Sequence, residues 1–368
     1  WSFIISMIKR KLIFMKRNHL INQSYKSPLF LVLLITLFSL YGKPMVAQET
    51  LFENDFPISI QLYLPLDSIK NESCTNPQYH KAILRYSERG GEKASLTVKV
   101  RKRGKFRCES KNCTQPPLMI NFSKKSVKGT LFENQEKLKL VLPCRPGRGK
   151  YEQYIQEEYT TYILYNKISP NSLKVRPIRL TLYDLSQPND SIVLSSFFIE
   201  SEEAMATRLH GKILNATNVR QKEFEPYSMV RLSLFQFMIG NTDWSTTEPH
   251  NIVILSLNPF EPPIPVPYDF DWSGLLNTPY AKPNITLPIT KVTDRYYMGR
   301  CIGTDSLNTI INEFSEKKSE LIDVITKDSE WLNEGSKIKM KEYIEEFFEM
   351  VEDKKWLLKK ISSECFTN

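Results

Sequence analysis

Three carboxylates and one amide lie in two short polar segments of this chain. Asp243 and Asn251 fall in the first segment, and Asp269 and Asp271 fall in the second. Oxygen ligands of this kind bind hard divalent cations such as Mg²⁺, and a carboxylate that is not a ligand can accept a proton from a hydroxyl. Asp269 and Asp271 alternate with aromatic residues and so project to one face, where two like charges are costly without a cation. Together the four residues predict a metal-assisted site.

Each segment also has a plainer interpretation. Residues 240–245 have the composition of a helix C-cap glycine followed by an Asx turn. The two acids of residues 269–271 are also typical of a surface Ca²⁺ site or of a solvent-facing pair. The presence of all four side chains favours the metal site.

Phosphoryl transfer also requires positive charge near the phosphates. Lys137 and Lys139 share one face of a predicted strand, so either one can face a cleft or solvent. Glu158 lies on the packed side of the next predicted helix, where an acid prefers a cationic partner. Gly104 lies in a basic turn, residues 103–107, whose backbone N–H groups can cradle phosphates or simply be solvated.

Hydrophobic periodicity predicts the elements that position these residues. Period-two alternation predicts strands at residues 58–64, 82–86, 94–100, 118–122, 137–142, 175–183 and 191–200, with turns at 89–92 and 103–105. Helical spacing predicts a helix over residues 151–166, a buried helix over 226–239 and two or three helices between 305 and 361, with short strands at 251–257 and 264–270.

This order predicts an α+β fold with a β-rich N-terminal lobe and a mostly helical C-terminal lobe. We divide the chain into a signal peptide or N-terminal anchor (residues 1–47), a β-rich lobe (48–149), a catalytic-like core with the Asp/Asn cluster (150–304) and a helical tail packed on the C-terminal lobe (305–368).

Residues 1–47 have the pattern of a signal peptide. Basic residues precede the apolar run of residues 28–41, and Ala47 is a plausible cleavage point. The run is shorter than the roughly 20 apolar residues of a spanning helix, so we expect export, with a retained anchor as the alternative. Residues 1–47 contain seven basic and no acidic residues, which leaves 43 basic and 41 acidic residues elsewhere, so the net charge of +9 does not indicate nucleic-acid binding.

Export permits disulfides, and the six cysteines leave their pairing open. Cys108 and Cys113 are close enough in sequence to close a small loop, whereas Cys301 and Cys365 bracket the predicted helical tail. A zinc site is the weaker interpretation, because there is no C-x-x-C motif and only three histidines follow residue 47.

The chain resembles the spore-coat CotH-like family of atypical secreted kinases, by way of a related exported bacterial group. The stretches that carry the resemblance are residues 103–104, 116–118, 137–141, 158–159, 240–245, 250–251 and 268–274. The resemblance implies a protein-kinase-like two-lobed fold that binds ATP with Mg²⁺ or Mn²⁺. It makes Lys139 the phosphate-contacting lysine, Glu158 its partner and Gly104 the remnant of the glycine-rich loop.

The same resemblance implies roles for the two polar segments. Asp243 is the catalytic base, and Asn251 and Asp269 are metal ligands. The resemblance gives Asp271 no settled role, and we group it with the metal ligands on its spacing from Asp269. We therefore expect an extracytoplasmic kinase-like phosphotransferase that acts on a protein Ser/Thr hydroxyl or a sugar hydroxyl. It would contact a membrane only through an uncleaved N-terminal segment.

Two other functions stay open. A non-enzymatic envelope protein on a degenerate kinase-like scaffold would use the acidic cluster to bind a metal or a glycan. A metal-dependent hydrolase is disfavoured by the few histidines and the lack of an H-E-x-x-H motif, although paired carboxylates also suit a glycosidase.

Overall fold

A computed structural model describes residues 50–87, 93–187, 190–327 and 331–367. The predicted leader of residues 1–47 and the predicted turn of residues 89–92 lie outside these ranges. Within them, no helix combines the length and the apolar character that crossing a membrane requires. Glu49–Asn368 cluster as one compact unit.

Seven strands carry the predicted period-two pattern of buried side chains, although the start of the sixth and the end of the seventh are buried on both faces. They are β1 (Ile58–Leu64), β2 (His80–Ser87), β3 (Lys93–Lys102), β4 (Leu118–Asn121), β5 (Lys137–Val141), β6 (Val175–Asp184) and β7 (Ser191–Ile199). These strands form a closed barrel in the order β1-β2-β3-β4-β5-β7-β6. β1 and β6 close it as a parallel pair, with Ile58 opposite Ile178, whereas the other neighbours are antiparallel.

The closed barrel shows that the predicted protein-kinase-like two-lobed fold is wrong. That fold has an open β-sheet in its N-terminal lobe, whereas here seven strands form one closed mixed barrel accompanied by helices. The error has a physical cause, because alternation identifies a strand and its buried face but not the strand that pairs with it. β6 and β7, which we assigned to the core after residue 150, complete the barrel beside β1 and β5.

Aliphatic side chains fill the barrel. Leu62, Leu84, Leu140 and Leu180 are fully shielded from solvent, and Phe198 packs among them. A filled barrel of this size is a rigid support rather than a channel. Polar chemistry is therefore expected on the segments that leave the strands.

Eight α-helices lie in the described residues. They are α1 (Leu66–Asn71), α2 (Gly149–Ile168), α3 (Glu202–Arg208), α4 (Pro226–Met238), α5 (Thr304–Glu316), α6 (Lys318–Thr326), α7 (Glu334–Glu352) and α8 (Lys354–Glu364). α4 confirms the predicted buried helix, and the side chain of Glu225 caps it by accepting the N–H groups of Tyr227 and Ser228. The tail is helical as predicted, but its described residues form four helices, α5 to α8, rather than the two or three expected.

A second sheet has three short strands in the order β10-β9-β8. They are β8 (Lys212–Ile213), β9 (Ile252–Ser256) and β10 (Ile264–Pro267). β9 and β10 are antiparallel, and Ile252 at the start of β9 lies opposite Pro267 at the end of β10. This pairing brings the residues just before β9 next to the residues just after β10.

Three disulfides cross-link the described residues, in which no cysteine is free. The bonds are Cys74–Cys108, Cys113–Cys144 and Cys301–Cys365. The last bond joins the two cysteines that bracket the helical tail. The predicted Cys108–Cys113 loop is wrong, because proximity in sequence does not fix which side chains meet in space. Three disulfides are consistent with an extracellular protein.

Candidate functional site

The end of α4 delivers Asp243 through a sharp turn. Gly240 has φ +63°, and a Cβ there would collide with the hydroxyl of Tyr343, so only glycine fits. The Asn241 side-chain oxygen then accepts the backbone N–H of Asp243 at 2.9 Å. The C-cap glycine and Asx turn of the plainer interpretation are therefore present, and they fix the direction of the Asp243 side chain.

The Asp243 carboxylate is held from two sides. Its Oδ2 accepts the Asn251 Nδ2–H at 3.0 Å, and Asn251 Nδ2 also donates to the Asp243 carbonyl at 2.7 Å. His250 Nε2 lies 3.1 Å from Asp243 Oδ1. This hydrogen bond raises the pKa of His250. The Asp243 side chain is one-third exposed, so it can still reach a ligand.

Asp269 lies beside this arrangement because β9 and β10 are paired. The N–H of Tyr268 donates to the Asn251 carbonyl at 3.0 Å, and the N–H of Asp269 donates to the Tyr162 hydroxyl at 2.8 Å. Asn251 and Asp269 both have left-handed backbones, with φ of 57° and 62°. No hydrogen bond or ion pair joins the Asp269 carboxylate to any described residue, and the same is true of the Asn251 side-chain oxygen.

Asp271 belongs to a different, buried part of the cluster. The Tyr280 hydroxyl donates to Asp271 Oδ2 at 3.0 Å, and Arg107 Nη1 lies 3.7 Å from the same oxygen. Arg107 Nη1 also lies 3.9 Å from Glu158 Oε2, while Arg107 Nη2 donates to the Leu142 carbonyl. Burial, together with the charge of the neighbouring Asp269, raises the pKa of Asp271 to about 7. Burial likewise raises the pKa of Glu158 well above its usual range, with Asp271 adding to the effect.

The structure does not pair Lys139 with Glu158. Lys139 Nζ instead donates to Glu202 Oε1 at 3.0 Å and lies 4.5 Å from the ring centre of Tyr268. Lys139 is therefore a neighbour of the Asp269 segment, but its acid comes from the first turn of α3. Glu202 follows the capping residue Ser201, and this helix-start pattern was the available signal for it.

The basic turn of residues 103–107 also reaches the cluster. Gly104 has φ +88°, and the Arg103 N–H donates to the Pro117 carbonyl at 2.9 Å. The Arg107 side chain is committed to the buried acids, whereas no hydrogen bond joins the Arg103 guanidinium to any described residue. Sequence reasoning noted this turn but assigned no role to either arginine, and it also missed Tyr162 and Tyr280.

The unengaged oxygens of Asn251 and Asp269 fit a hard divalent cation. Mg²⁺ commonly takes one or two protein oxygens and completes its shell with water and phosphate. Asp271 fits the predicted ligand role less well, because Arg107 and Tyr280 both contact its Oδ2. Among the described residues, no group of three or more His, Cys, Asp and Glu side chains could hold a metal by itself.

A separate cavity of about 470 Å³ lies elsewhere in the molecule. Phe56, Tyr159, Ile163, Val324 and Trp331 form much of its wall. None of the predicted site residues lines it, so it does not compete with the acidic cluster as the place of the predicted chemistry.

Comparison with known proteins adds no assignment. No family model matches this chain, and no curated protein matches it. The resemblance to the CotH-like family stays a prediction that rests on the stretches quoted above, and the functional argument depends on the geometry of the cluster.

Proposed function

We propose that this protein is an exported phosphotransferase that moves the γ-phosphoryl group of ATP to a protein Ser/Thr hydroxyl or a sugar hydroxyl. One observation carries the proposal. The unengaged carboxylate of Asp269 lies next to Asn251, which in turn hydrogen-bonds to the partly exposed carboxylate of Asp243. The oxygens that could bind a metal thus lie next to the candidate base, Asp243, but belong to other residues.

Each of these residues has a distinct task in the proposed reaction. Asn251 and Asp269 would hold Mg²⁺ or Mn²⁺, which when bound neutralises charge on the phosphates. Asp243 would accept the proton of the acceptor hydroxyl as that oxygen attacks the γ-phosphorus and ADP leaves. The hydrogen bonds from Asn251 and His250 would keep the Asp243 carboxylate in one orientation, so that little reorganisation accompanies proton transfer.

Export is part of the proposal. Three disulfides suit an oxidising compartment, and the apolar run of residues 28–41 suits a signal sequence or an anchor. We therefore place the reaction in an extracytoplasmic space.

The test measures transfer of the labelled γ-phosphate to casein, to free sugars and to the protein itself, with Mg²⁺ or Mn²⁺. We expect Asp269→Asn and Asp243→Asn each to lower transfer by at least about 100-fold, since each removes charge needed in the transition state. Asparagine tolerates a left-handed backbone, so Asp269→Asn separates chemistry from backbone strain better than alanine would.

Asp305→Asn is the matched control, because Asp305 is an exposed acid in the first turn of α5. It makes the same change in charge and should leave transfer unchanged. Equal activity in wild type, Asp269→Asn and Asp243→Asn would contradict the proposal.

A second function is favoured by the contacts that Glu158 and Asp271 both make with Arg107. With those acids committed, Asp269 and Asn251 are left to bind a metal or a glycan without catalysis. This non-enzymatic binding function predicts a rise in Tm with Ca²⁺ and none with ATP and Mg²⁺. Ligand at about 100 times its Kd adds about 2.7 kcal/mol of stability, so the two functions give distinguishable melting curves.

A further inference from the structure

Arg103 is a cation close to several acids that forms an ion pair with none of them. Of the acids, Asp269 acts on it most strongly, and Glu158 also contributes. Its Nε is shielded from solvent and has no hydrogen-bond partner. A shielded guanidinium nitrogen without an acceptor is costly, because it has lost water and gained nothing in return.

Arg107, four residues later, gives the contrast. Its guanidinium contacts two buried acids and one backbone carbonyl, so its charge is already used in the fold. Two arginines on one turn therefore have different tasks. Arg107 stabilises the cluster, and the charge of Arg103 stays available to a ligand.

The backbone holds Arg103 in place rather than its side chain. Its N–H is bonded to Pro117, and the turn is anchored by Cys108 to Cys74 and, a few residues on, by Cys113 to Cys144. The backbone of the turn is thus preorganised, which lowers the entropy cost of binding a ligand at Arg103.

Charge balance indicates what that ligand must be. Asp269 and Glu158 act on Arg103, and Glu158 and Asp271 lie near Arg107, so an anion alone would be repelled, whereas an anion bound together with a divalent cation would not. Arg103 and Asp269 are then the two ends of a single site. The guanidinium faces the anion, and the carboxylate faces the cation.

We propose that Arg103, and not Lys139, is the principal phosphate-binding side chain, and that it binds a polyphosphate together with a divalent cation held by Asp269 and Asn251. The fork of a guanidinium suits two oxygens of one phosphate group. The inference rests on the proposed function for the presence of a nucleotide, but it concerns binding and does not require phosphoryl transfer.

The test is calorimetric titration of the purified protein with inorganic tripolyphosphate and with ATP, each with and without Mn²⁺. We expect binding of both compounds in the presence of Mn²⁺ and at least about tenfold weaker binding without it. Arg103→Gln should weaken binding by about 10- to 100-fold, as expected for loss of a hydrogen-bonded charged partner. Arg103→Lys keeps the charge but loses the forked guanidinium, so its affinity should lie between those of wild type and Arg103→Gln.

Arg101→Gln is the matched control. Arg101 is two residues earlier, lies over the ring of Tyr79 and donates to the Lys102 carbonyl, so its loss makes the same change in net charge away from the acids. It should change binding less than about twofold. The Tm of unliganded Arg103→Gln should equal or exceed that of wild type, because no ion pair is lost.

Equal tripolyphosphate affinity in wild type and Arg103→Gln would overturn the inference, as would equal losses in Arg103→Gln and Arg101→Gln. If Arg103→Gln were too unstable to titrate, the affinity of Arg103→Lys for tripolyphosphate would be measured instead. Unchanged affinity in Arg103→Lys, together with a large loss of affinity in Lys139→Met, would also overturn the inference. Mn²⁺-dependent binding that needs Arg103, combined with no transfer to any acceptor, would refute the proposed function and leave this inference standing.

Discussion

Glu157 and Glu158 are neighbours on α2, and each is only 2 % exposed, yet they lie in two very different regions. Glu157 faces α7, where Ser336 donates to it at 2.8 Å and Lys339 at 2.5 Å. Glu158 faces the acidic cluster, where its cation Arg107 is 3.9 Å away and is shared with Asp271. Glu157 therefore has its own hydrogen bonds and its own cation, whereas Glu158 shares its cation with Asp271.

The difference separates a structural ion pair from a candidate functional cluster. A buried acid with its own cation and hydrogen bonds stabilises the contact between two helices and offers nothing to a ligand. A cluster with more acids than closely paired cations carries raised pKa values and oxygens without partners, which are features of functional sites. The following predictions test that contrast.

Removal of Arg107 should have the largest effect. Arg107→Met leaves Glu158 and Asp271 buried without their cation, which we expect to cost about 3–5 kcal/mol of unfolding free energy near pH 7. Urea denaturation measures the loss. It should shrink on acidification, because both acids can then be buried as neutral groups. A loss below about 1 kcal/mol would show that Arg107 does not hold the cluster together.

The pH dependence of stability should be the next largest effect. The folded-state pKa of Asp271 is about 7, above its usual 3.8, so between about pH 4 and pH 7 the folded protein keeps a proton that the unfolded chain has released. The free energy of unfolding therefore falls as the pH rises through this window, on the order of 4 kcal/mol from this residue.

Asp271→Asn should remove this contribution. Urea curves of wild type and variant at pH 4.5 and pH 7.5 measure it, and the variant should gain stability relative to wild type at the higher pH. A wild-type advantage that grows with pH would mean instead that Asp271 is ionised and stabilised by Arg107.

The smallest effect is expected in the Glu157 region. Lys339→Met removes the cation of a buried acid, but Lys339 is itself 41 % exposed and Ser336 keeps its hydrogen bond, so we expect a loss of about 1–2 kcal/mol. The double variant Glu157→Gln/Lys339→Met should recover most of it, and neither variant should change tripolyphosphate binding. Weaker tripolyphosphate binding in either variant would show that the Glu157 region is not separate from the acidic cluster.

The sequence was enough to predict elements but not their assembly. Residues 58–64 alternate strictly, so β1 could be recognised locally, and the same holds for the buried helix α4. Barrel closure could not be recognised, because it depends on the pairing of β1 with β6, which are far apart in the sequence. Periodicity contains no information about partners so distant in sequence.

The candidate site shows the same limit. Asp243, Asn251 and Asp269 could be grouped by residue type, and the pairing of β9 with β10 does bring their segments together. The predicted pairing of Lys139 with Glu158 is wrong, because the position of an acid on a packed helix face does not determine which cation lies near it. In the folded chain that cation is Arg107. The role of Arg103 could not be predicted from the sequence, because the same residues can form an exposed basic turn or a buried one.

The parallel closure of β1 against β6 also has a consequence for biosynthesis. A growing chain can pair β1 with β2 early, but the other edge of β1 has no partner until residues 175–184 have been made. An open edge of this kind attracts strands from other molecules, and contacts between distant segments form slowly. Each newly made molecule therefore passes through a period in which the second edge of its first strand is uncovered and can pair with a neighbouring chain.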